Sequence, residues 1–426
     1  ALARLVSRSM VTRLAGTTPP AFHLLESVRH FARARLRDAD EDATTRARIA
    51  EHVVRLGAEA RLWIDGPDQL QWFDRLERAL PSIRIAVDHL LEHDPVVAHD
   101  LRVGLYQFWM ARASRPDARR WIEVAYERAA APDPGLASRV LADAATFAYF
   151  CGSLSQSRSL SERSILVSEQ GAQPARPTAL LRLAALQAFD GDPEAAVTTG
   201  AQALDTLDAV HVPPEPPETM AAIGAFLAIV GQAERGVEVC RAAIDRHRSP
   251  SPTTEASDLV NLAYAHRLLD PDEAVIAYQA ALVRARAAGS RFYMATAAMG
   301  AGLSLRAAGR GDEALVLLAE ALPMARDIGM RDEVLVMLKA AARVLRLEGS
   351  VDGDLLFLVA EREQQARHWE GGPTLGRRPV RSPSEVAAEI GAAYAELRVV
   401  AAELDVDQAI DLVDRAAARV HAPSGA

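Results

Sequence analysis

Lysine is nearly missing from this sequence. Lys339 stands alone against dozens of arginines, which leaves no lysine for a Walker A loop elsewhere and one position for a Schiff base. Cysteine is as scarce. Cys151 and Cys240 make neither a disulfide framework nor a zinc site, and such usage fits a reducing cytosol. Aromatic residues are 5% of the chain, while alanine is about a fifth, a bias toward helix over strand. No long apolar run is present. The longest nearly uncharged stretch, residues 220–233, is too short to cross a bilayer, so no membrane partner is expected. Arg4, Arg8 and Arg13 interrupt the first apolar positions, so no signal peptide is read there. The net charge of -9 argues against nucleic acid or anionic lipid as the partner of the bulk surface.

What is present is length and hydrophobic content. A chain of 426 residues, half of them hydrophobic, allows two to four domains with a sizeable core. It opens on alanine rather than methionine, so the expectation is a processed chain or a piece of a longer one. Helical periodicity runs from about residue 44 to the end. Before that, residues 1–8 read as the tail of a helix, 9–14 and 21–25 as short strands around Ala15-Gly-Thr-Thr-Pro-Pro20, and 26–37 as a helix ended by the acidic cluster at 38–42. Helix, hairpin, helix is the order that closes a winged-helix module.

The centre repeats itself. Pro116-Asp-Ala118, Ser155-Gln-Ser157, Pro193-Glu-Ala195, Ala233-Glu-Arg235, Asp272-Glu-Ala274 and Asp312-Glu-Ala314 follow one another at roughly 39 residues, with a weaker unit at Val351-Asp-Gly353. Each is read as the turn between paired helices. Nine or ten residues before five of them stands a small residue: Ala145, Ala184, Gly224, Ala263 and Gly302. A small side chain there lets the paired helices cross closely. Asn261-Leu-Ala263, Asp272-Glu-Ala274 and Ala277-Tyr-Gln-Ala-Ala-Leu282 together resemble a tetratricopeptide repeat.

The expected fold is therefore all-α: a right-handed α-solenoid of tetratricopeptide-like helical hairpins, with a short N-terminal β-hairpin from a partial winged helix. The expected domains are 1–37, the C-terminal part of a winged-helix module; 38–95, a helical connector; and 96–370, about seven hairpins. A linker at 371–383 carries Arg377, Arg378 and Arg381, and a two-helix cap fills 384–421. His211-Val-Pro-Pro-Glu-Pro-Pro217 reads as an extended loop, and Asp405 with Gln408 has capping-box spacing.

Family resemblance rests on several stretches. Leu2-Ala-Arg-Leu-Val-Ser-Arg-Ser-Met-Val11 and Phe22-His-Leu-Leu-Glu-Ser-Val-Arg-His-Phe-Ala32 resemble the end of the winged-helix module in bacterial STAND-class (NB-ARC-like) regulatory ATPases. These are the LuxR-type and SARP-type transcriptional regulators of actinobacteria. The likeness continues through Gly66-Pro-Asp-Gln69, Trp72-Phe-Asp-Arg-Leu-Glu77, residues 83–91, Phe108-Trp109 and Arg119-Arg-Trp-Ile-Glu123, and reaches Glu403-Leu-Asp-Val-Asp-Gln-Ala-Ile410. The resemblance implies a sensory and protein-interaction arm of a cytoplasmic regulator, taking part in signal transduction and transcription regulation. Such an arm binds an effector or partner and restrains an upstream nucleotide-binding domain. The chain departs from the whole regulator in lacking a Walker A loop and a C-terminal helix-turn-helix, so neither enzymatic activity nor DNA binding is expected of it.

Other motifs are weighed on their residues. His89-Leu-Leu-Glu-His93 has the H-x-x-E-H spacing of one zinc-peptidase group, with Glu92 as base, but it also reads as a helix end stopped by Asp94-Pro95. Gly300-Ala-Gly302 begins like a nucleotide fingerprint, yet Leu305 stands where the third glycine belongs and no strand precedes it. Arg310-Gly-Asp312 falls on a repeat turn, and the basic run from Arg29 to Arg37 lacks a recognition helix. Cys151 and Cys240 read as packed thiols.

The concave face carries the binding expectation. The first helix of each hairpin lines the inside of a solenoid, and the tetratricopeptide register points Tyr149, Tyr264, Arg267 and Arg306 inward. These suit an acidic peptide, a protein segment or an anionic effector, with no catalytic residue, metal or cofactor in this chain. The alternative function is a stand-alone tetratricopeptide scaffold; a further one is a zinc hydrolase using His89, Glu92 and His93.

Overall fold

The computed structural model describes residues 2–13, 22–64, 66, 68–112, 133–150, 153–169, 175–209, 218–246, 251–366 and 383–421. Cys151, the first repeat marker at 116–118, the segment 119–123, the prolines of 211–217 and the linker at 371–382 lie outside them. The chain divides into two compact units, residues 1–58 with 78–98, and residues 59–77 with 99–426.

In the first unit, α1 (Leu2–Ser7) leads into β1 (Val11–Arg13), which pairs antiparallel with β2 (Phe22–Leu24) in the register Val11 to Leu24 and Arg13 to Phe22. This is the expected hairpin. Helix α2 (Glu26–Asp38) follows, its Arg29 donating to the Leu24 carbonyl at 3.3 Å and pairing with Glu26 at 3.0 Å. It stops in the acidic cluster, where Asp40 adopts φ 58°, a left-handed conformation that aspartate tolerates better than most residues. Helix α2 buries no residue, and Leu2, Leu5, Met10, Phe22, Leu25 and Phe31 are exposed. Helices α3 (Asp42–Arg61) and α4 (Gln69–His93) run through both units. Their first-unit stretches bury Ala50, Val53 and Leu56, and Ile83, Ala86 and Leu90, at helical spacing. Pro95 opens α5 (Pro95–Gly104), whose Val97 amide is capped by Asp94 at 3.2 Å.

The second unit is the helical array. After α5 and α6 (Tyr106–Arg112) come the described hairpins α7/α8 (Pro134–Phe150, Leu154–Ser168), α9/α10 (Arg176–Asp190, Pro193–Ala209) and α11/α12 (Glu218–Ile229, Ala233–Arg246). Then follow α13/α14 (Pro252–His266, Pro271–Ala288), α15/α16 (Arg291–Ala307, Gly311–Asp327) and α17/α18 (Arg331–Leu347, Val351–Ala366). Each described repeat marker sits in the first turn of a second helix rather than between the helices. The acidic residues there suit the helix N-terminus, and Asp270 caps α14 through the Asp272 and Glu273 amides at 3.1 and 3.2 Å.

The small residues do what their spacing predicts. Ala145, Ala184 and Ala263 are fully buried, and Ser157 Oγ on α8 donates to the Ala145 carbonyl at 2.8 Å. A Cβ on Gly302 would stand 2.9 Å from Leu318 of the partner helix. First helices end on glycine at Gly231 (φ 87°) and Gly309 (φ 79°), where the backbone turns left-handed and frees the chain to reverse.

The C-terminal element differs in detail from two plain helices. Gly391 (φ 79°) breaks the first into α19 (Pro383–Ile390), a 3-10 turn (Gly391–Ala393) and α20 (Tyr394–Glu403). The second, α21 (Val406–His421), opens with the expected reciprocal capping box: the Asp405 amide donates to Gln408 Oε1 at 2.9 Å, and the Gln408 amide to Asp405 Oδ1 at 2.8 Å. Val386, Ala401, Ile410 and Val413 share one core with Leu338 and Leu356, so these helices cover the apolar face of the last repeats.

Candidate functional site

Residues three apart on a helix lie close to one face. In the first helices of the array, positions two before, one after and four after the small crossing residue follow that rule. Asn261, Tyr264 and Arg267 hold these places around Ala263, as Gly300, Leu303 and Arg306 do around Gly302. All six border one cavity of about 660 Å³ inside the second unit. Helices α6, α7, α9, α11, α13, α15 and α17 all contribute to its wall.

Each of the four expected residues lines this cavity. Tyr149 on α7 is buried, and burial pushes its phenol up to about 12. Tyr264 on α13 is raised well above the usual phenol range, again by burial, and the Arg267 guanidinium lies 4.8 Å from its ring centre. Arg306 on α15 is half-buried. Rings bridge hairpins distant in sequence: Phe150 of α7 meets Phe292 of α15 edge-on, centroids 5.3 Å apart.

Sequence reasoning missed two cations. Arg182, on α9, is only 9% exposed, with its guanidinium carbon 4.8 Å from the Tyr149 ring centre and 5.7 Å from that of Phe150. Lys339, the sole lysine, lines the cavity from α17; its Nζ is 2.7 Å from Glu361 Oε1 and also donates to Gln364. Both occupy the place two residues before a buried alanine, Ala184 and Ala341. The signal was therefore in the repeat register, at a position that Asn261 and Gly300 also hold.

The remaining motifs resolve into packing. His89 and His93 share a face, as their spacing predicts, and their rings stack at 4.1 Å with His93 Nδ1 2.9 Å from the His89 carbonyl. Glu92 is exposed, and among the described residues no group of three His, Cys, Asp or Glu is placed to hold a metal ion, so the zinc-hydrolase alternative finds no ligand set here. A Cβ on Gly300 would fall 2.3 Å from the Tyr278 ring, so this glycine makes room for an aromatic side chain. Arg310 holds Glu313 through paired bonds of 2.7 Å on the surface. Among the described residues no helix is long and apolar enough to cross a membrane.

Cys240 is fully buried on α12, its Sγ 3.3 Å from the Ala221 carbonyl, and burial pushes the thiol up to about 12. An unfolded thiol ionises near its ordinary value, so the folded state loses stability as pH rises from about 8.5 toward 12. With Cys151→Ser making Cys240 the sole thiol, labelling by iodoacetamide at pH 8 is expected to follow the unfolding rate. Labelling as fast as a free cysteine would show the thiol to be accessible.

No protein-family description matches the chain, and no curated protein sequence matches it. Among solved structures, a Rap protein complexed with Competence and Sporulation Factor is similar over 89% of this chain and 99% of that one, at 11% identity with a TM-score of 0.51. A chain of the APC/C hetero-tetramer Cut9–Hcn1 is similar over 76% of this chain at 14% identity, with a TM-score of 0.42. This chain spans about half of that one, 52%. At such identity the Rap likeness shows the fold, a tetratricopeptide-like helical repeat array.

Proposed function

We propose that this chain is a binding module whose inner cavity takes up an acidic peptide segment or a small anionic effector. The observation that carries the reading is the convergence of Tyr149, Arg182, Tyr264, Arg267 and Arg306, from four different first helices and the turn after one of them, on a single cavity. A volume of about 660 Å³ with an aromatic wall and a few charged groups is the usual form of a ligand site. The cations Arg182, Arg267, Arg306, Lys339 and Arg343 outnumber the acids Asp332, Glu333 and Glu361 in its lining, inside a chain of net charge -9. A local positive field in an acidic protein selects anions. The similar Rap protein, complexed with Competence and Sporulation Factor, lends the reading support by analogy of fold.

Fluorescence anisotropy with pools of labelled random nonapeptides tests it. The acidic pool is expected to bind and the basic pool not. Arg267→Ala with Arg306→Ala should weaken acidic-pool binding about tenfold or more while the helical circular dichroism stays unchanged. Equal affinity in the double variant would remove these arginines from the site, and no binding of the acidic pool would overturn the peptide reading.

As a finer reading, we propose that this module is the sensory arm of a STAND-type transcriptional regulator. What supports it, beyond the sequence resemblance, is the helix–hairpin–helix order of residues 2–38 with Leu2, Leu5, Phe22 and Phe31 exposed, apolar side chains open to contact with a further domain. Sequencing the DNA in frame upstream of the Ala1 codon decides this. A glycine-rich loop followed by Lys and Ser/Thr is the expected result; a start codon close to Ala1 would leave the stand-alone scaffold.

A further inference from the structure

Arg182 is a buried cation without a counter-charge. Among the described residues no hydrogen bond or ion pair involves it, and its Nε is buried with no partner. Its guanidinium lies against the rings of Tyr149 and Phe150, and the groups that act on it electrostatically are the phenols of Tyr149, Tyr106 and Tyr293. None of these carries a negative charge at neutral pH. Two buried carboxylates of the second unit are by contrast paired: Asp143 with Arg139 at 3.3 Å, and Glu361 with Lys339 at 2.7 Å. Burying a charge is costly unless something pairs with it, and ring faces compensate only part of that cost. Desolvation accordingly pulls the guanidinium below its usual value.

The surroundings define what would complete the site. An arginine presents a planar fork of donors, matched to the two oxygens of a carboxylate. The phenols of Tyr106, Tyr149 and Tyr293 lie near enough to act on it electrostatically and bring no charge of their own. A single guanidinium balances a monoanion, whereas a phosphate dianion would leave one negative charge buried. Glu333, which acts electrostatically on Tyr149, makes such an excess less favourable still. The Phe150 ring beside this group meets Phe292 edge-on, and Phe226 and Leu303 also line the cavity, which gives an apolar body surfaces to pack on.

Resting on the reading of the cavity as a binding site, we propose that Arg182, framed by Tyr106, Tyr149 and Tyr293, receives one carboxylate of the ligand, an organic acid with an apolar body. That carboxylate has three possible sources: a peptide C-terminus, an acidic side chain or a small free acid.

Calorimetric titration of the full chain with three matched pairs separates them. The pairs are hydrocinnamate and hydrocinnamide; acetyl-Phe-Ala-Phe as free acid and as C-terminal amide; and acetyl-Phe-Glu-Phe-amide with its glutamine counterpart. In at least one pair the acid is expected to bind about tenfold or more tightly than its neutral twin, and that pair identifies the source. Arg182→Met should abolish the preference and leave the neutral compound's affinity as it was. Arg182→Lys should restore only part of it, because a point charge lacks the fork. Should Arg182→Met fail to fold, Tyr293→Phe supplies the second readout, a smaller loss confined to the acid.

Equal affinities within every pair, a preference that survives Arg182→Met, or no binding by any of the six compounds would overturn the proposal. The two readings fail separately. Acidic nonapeptides that bind without any acid preference in the pairs sink the Arg182 receptor alone. Hydrocinnamate held through Arg182, with no nonapeptide bound, sinks the peptide reading alone.

Discussion

The substitution Gly224→Leu is expected to cost the array ~3 kcal/mol or more, the upper end of what overpacking usually costs. A Cβ at 224 would stand 2.6 Å from Cys240 Sγ and 2.7 Å from the Gly236 carbonyl oxygen, and a Cβ at 236 would stand 2.5 Å from the Gly224 carbonyl. At 224 the Gly236 carbonyl oxygen and, at 3.0 Å, the Cys240 amide nitrogen are backbone atoms, so no side chain can swing aside to make room. Helices α11 and α12 would have to separate, and with them would go the Cys240 contact to the Ala221 carbonyl. Repeat arrays unfold in parts, so one global midpoint is a poor measure of the loss. Hydrogen exchange by mass spectrometry is the suitable one: protection of α11 and α12 should fall sharply, with neighbouring hairpins less affected. Gly231→Ala is the comparison. There a Cβ would meet nothing within 4 Å, and only the left-handed φ of 87° is penalised, at ~1–2 kcal/mol. If Gly224→Leu proved as mild as Gly231→Ala, close helix crossing would not be what the small residues provide.

The legibility of the fold follows from how local its rules are. The β1–β2 hairpin, the stop of α2 at the acidic cluster and the Asp405–Gln408 box each depend on residues within a few positions of one another, and each stands where the sequence predicts it. The crossing residues were legible because a repeat states the same constraint again in every unit. The break at Gly391 was not, since one glycine in an apolar-periodic stretch does not by itself say whether a helix ends there. The site divides in the same way. Tyr264, Arg267 and Arg306 could be placed on the cavity wall because the tetratricopeptide register carries them inward. Arg182 and Lys339 went unread because what distinguishes them is their partners, and those come from other hairpins: the Tyr149 and Phe150 rings for the first, Glu361 for the second. A one-dimensional pattern places a side chain on a face. It does not say which charges have been neutralised there.

That distinction can be measured at Lys339. Glu361 is 4% exposed, and the Lys339 ammonium at 2.7 Å is the only ion-pair partner it has among the described residues. Lys339→Met leaves this carboxylate buried without its counter-charge and is expected to destabilise the chain by ~3 kcal/mol, the lower end for breaking a buried pair, because the lysine side chain keeps 26% exposure and some solvent screening. Adding Glu361→Gln should recover most of the loss, since replacing both partners removes the uncompensated charge. Glu361→Gln alone strands a lysine that can still reach solvent and Gln364, so its cost should be the smaller of the two. Hydrogen-exchange protection of α17 and α18 across the four proteins gives the coupling; an additive double variant would mean that the pair does not act as one. Arg182 predicts the opposite sign of context. Lys339 already has its anion, so its removal is costly with the cavity empty. Arg182 has none, so Arg182→Met should leave hydrogen-exchange protection of the empty protein equal or higher and appear as lost affinity for an acid. Two cations lining one cavity are thereby told apart by when they matter, one in holding the helices α17 and α18 together and the other once a ligand supplies the missing charge.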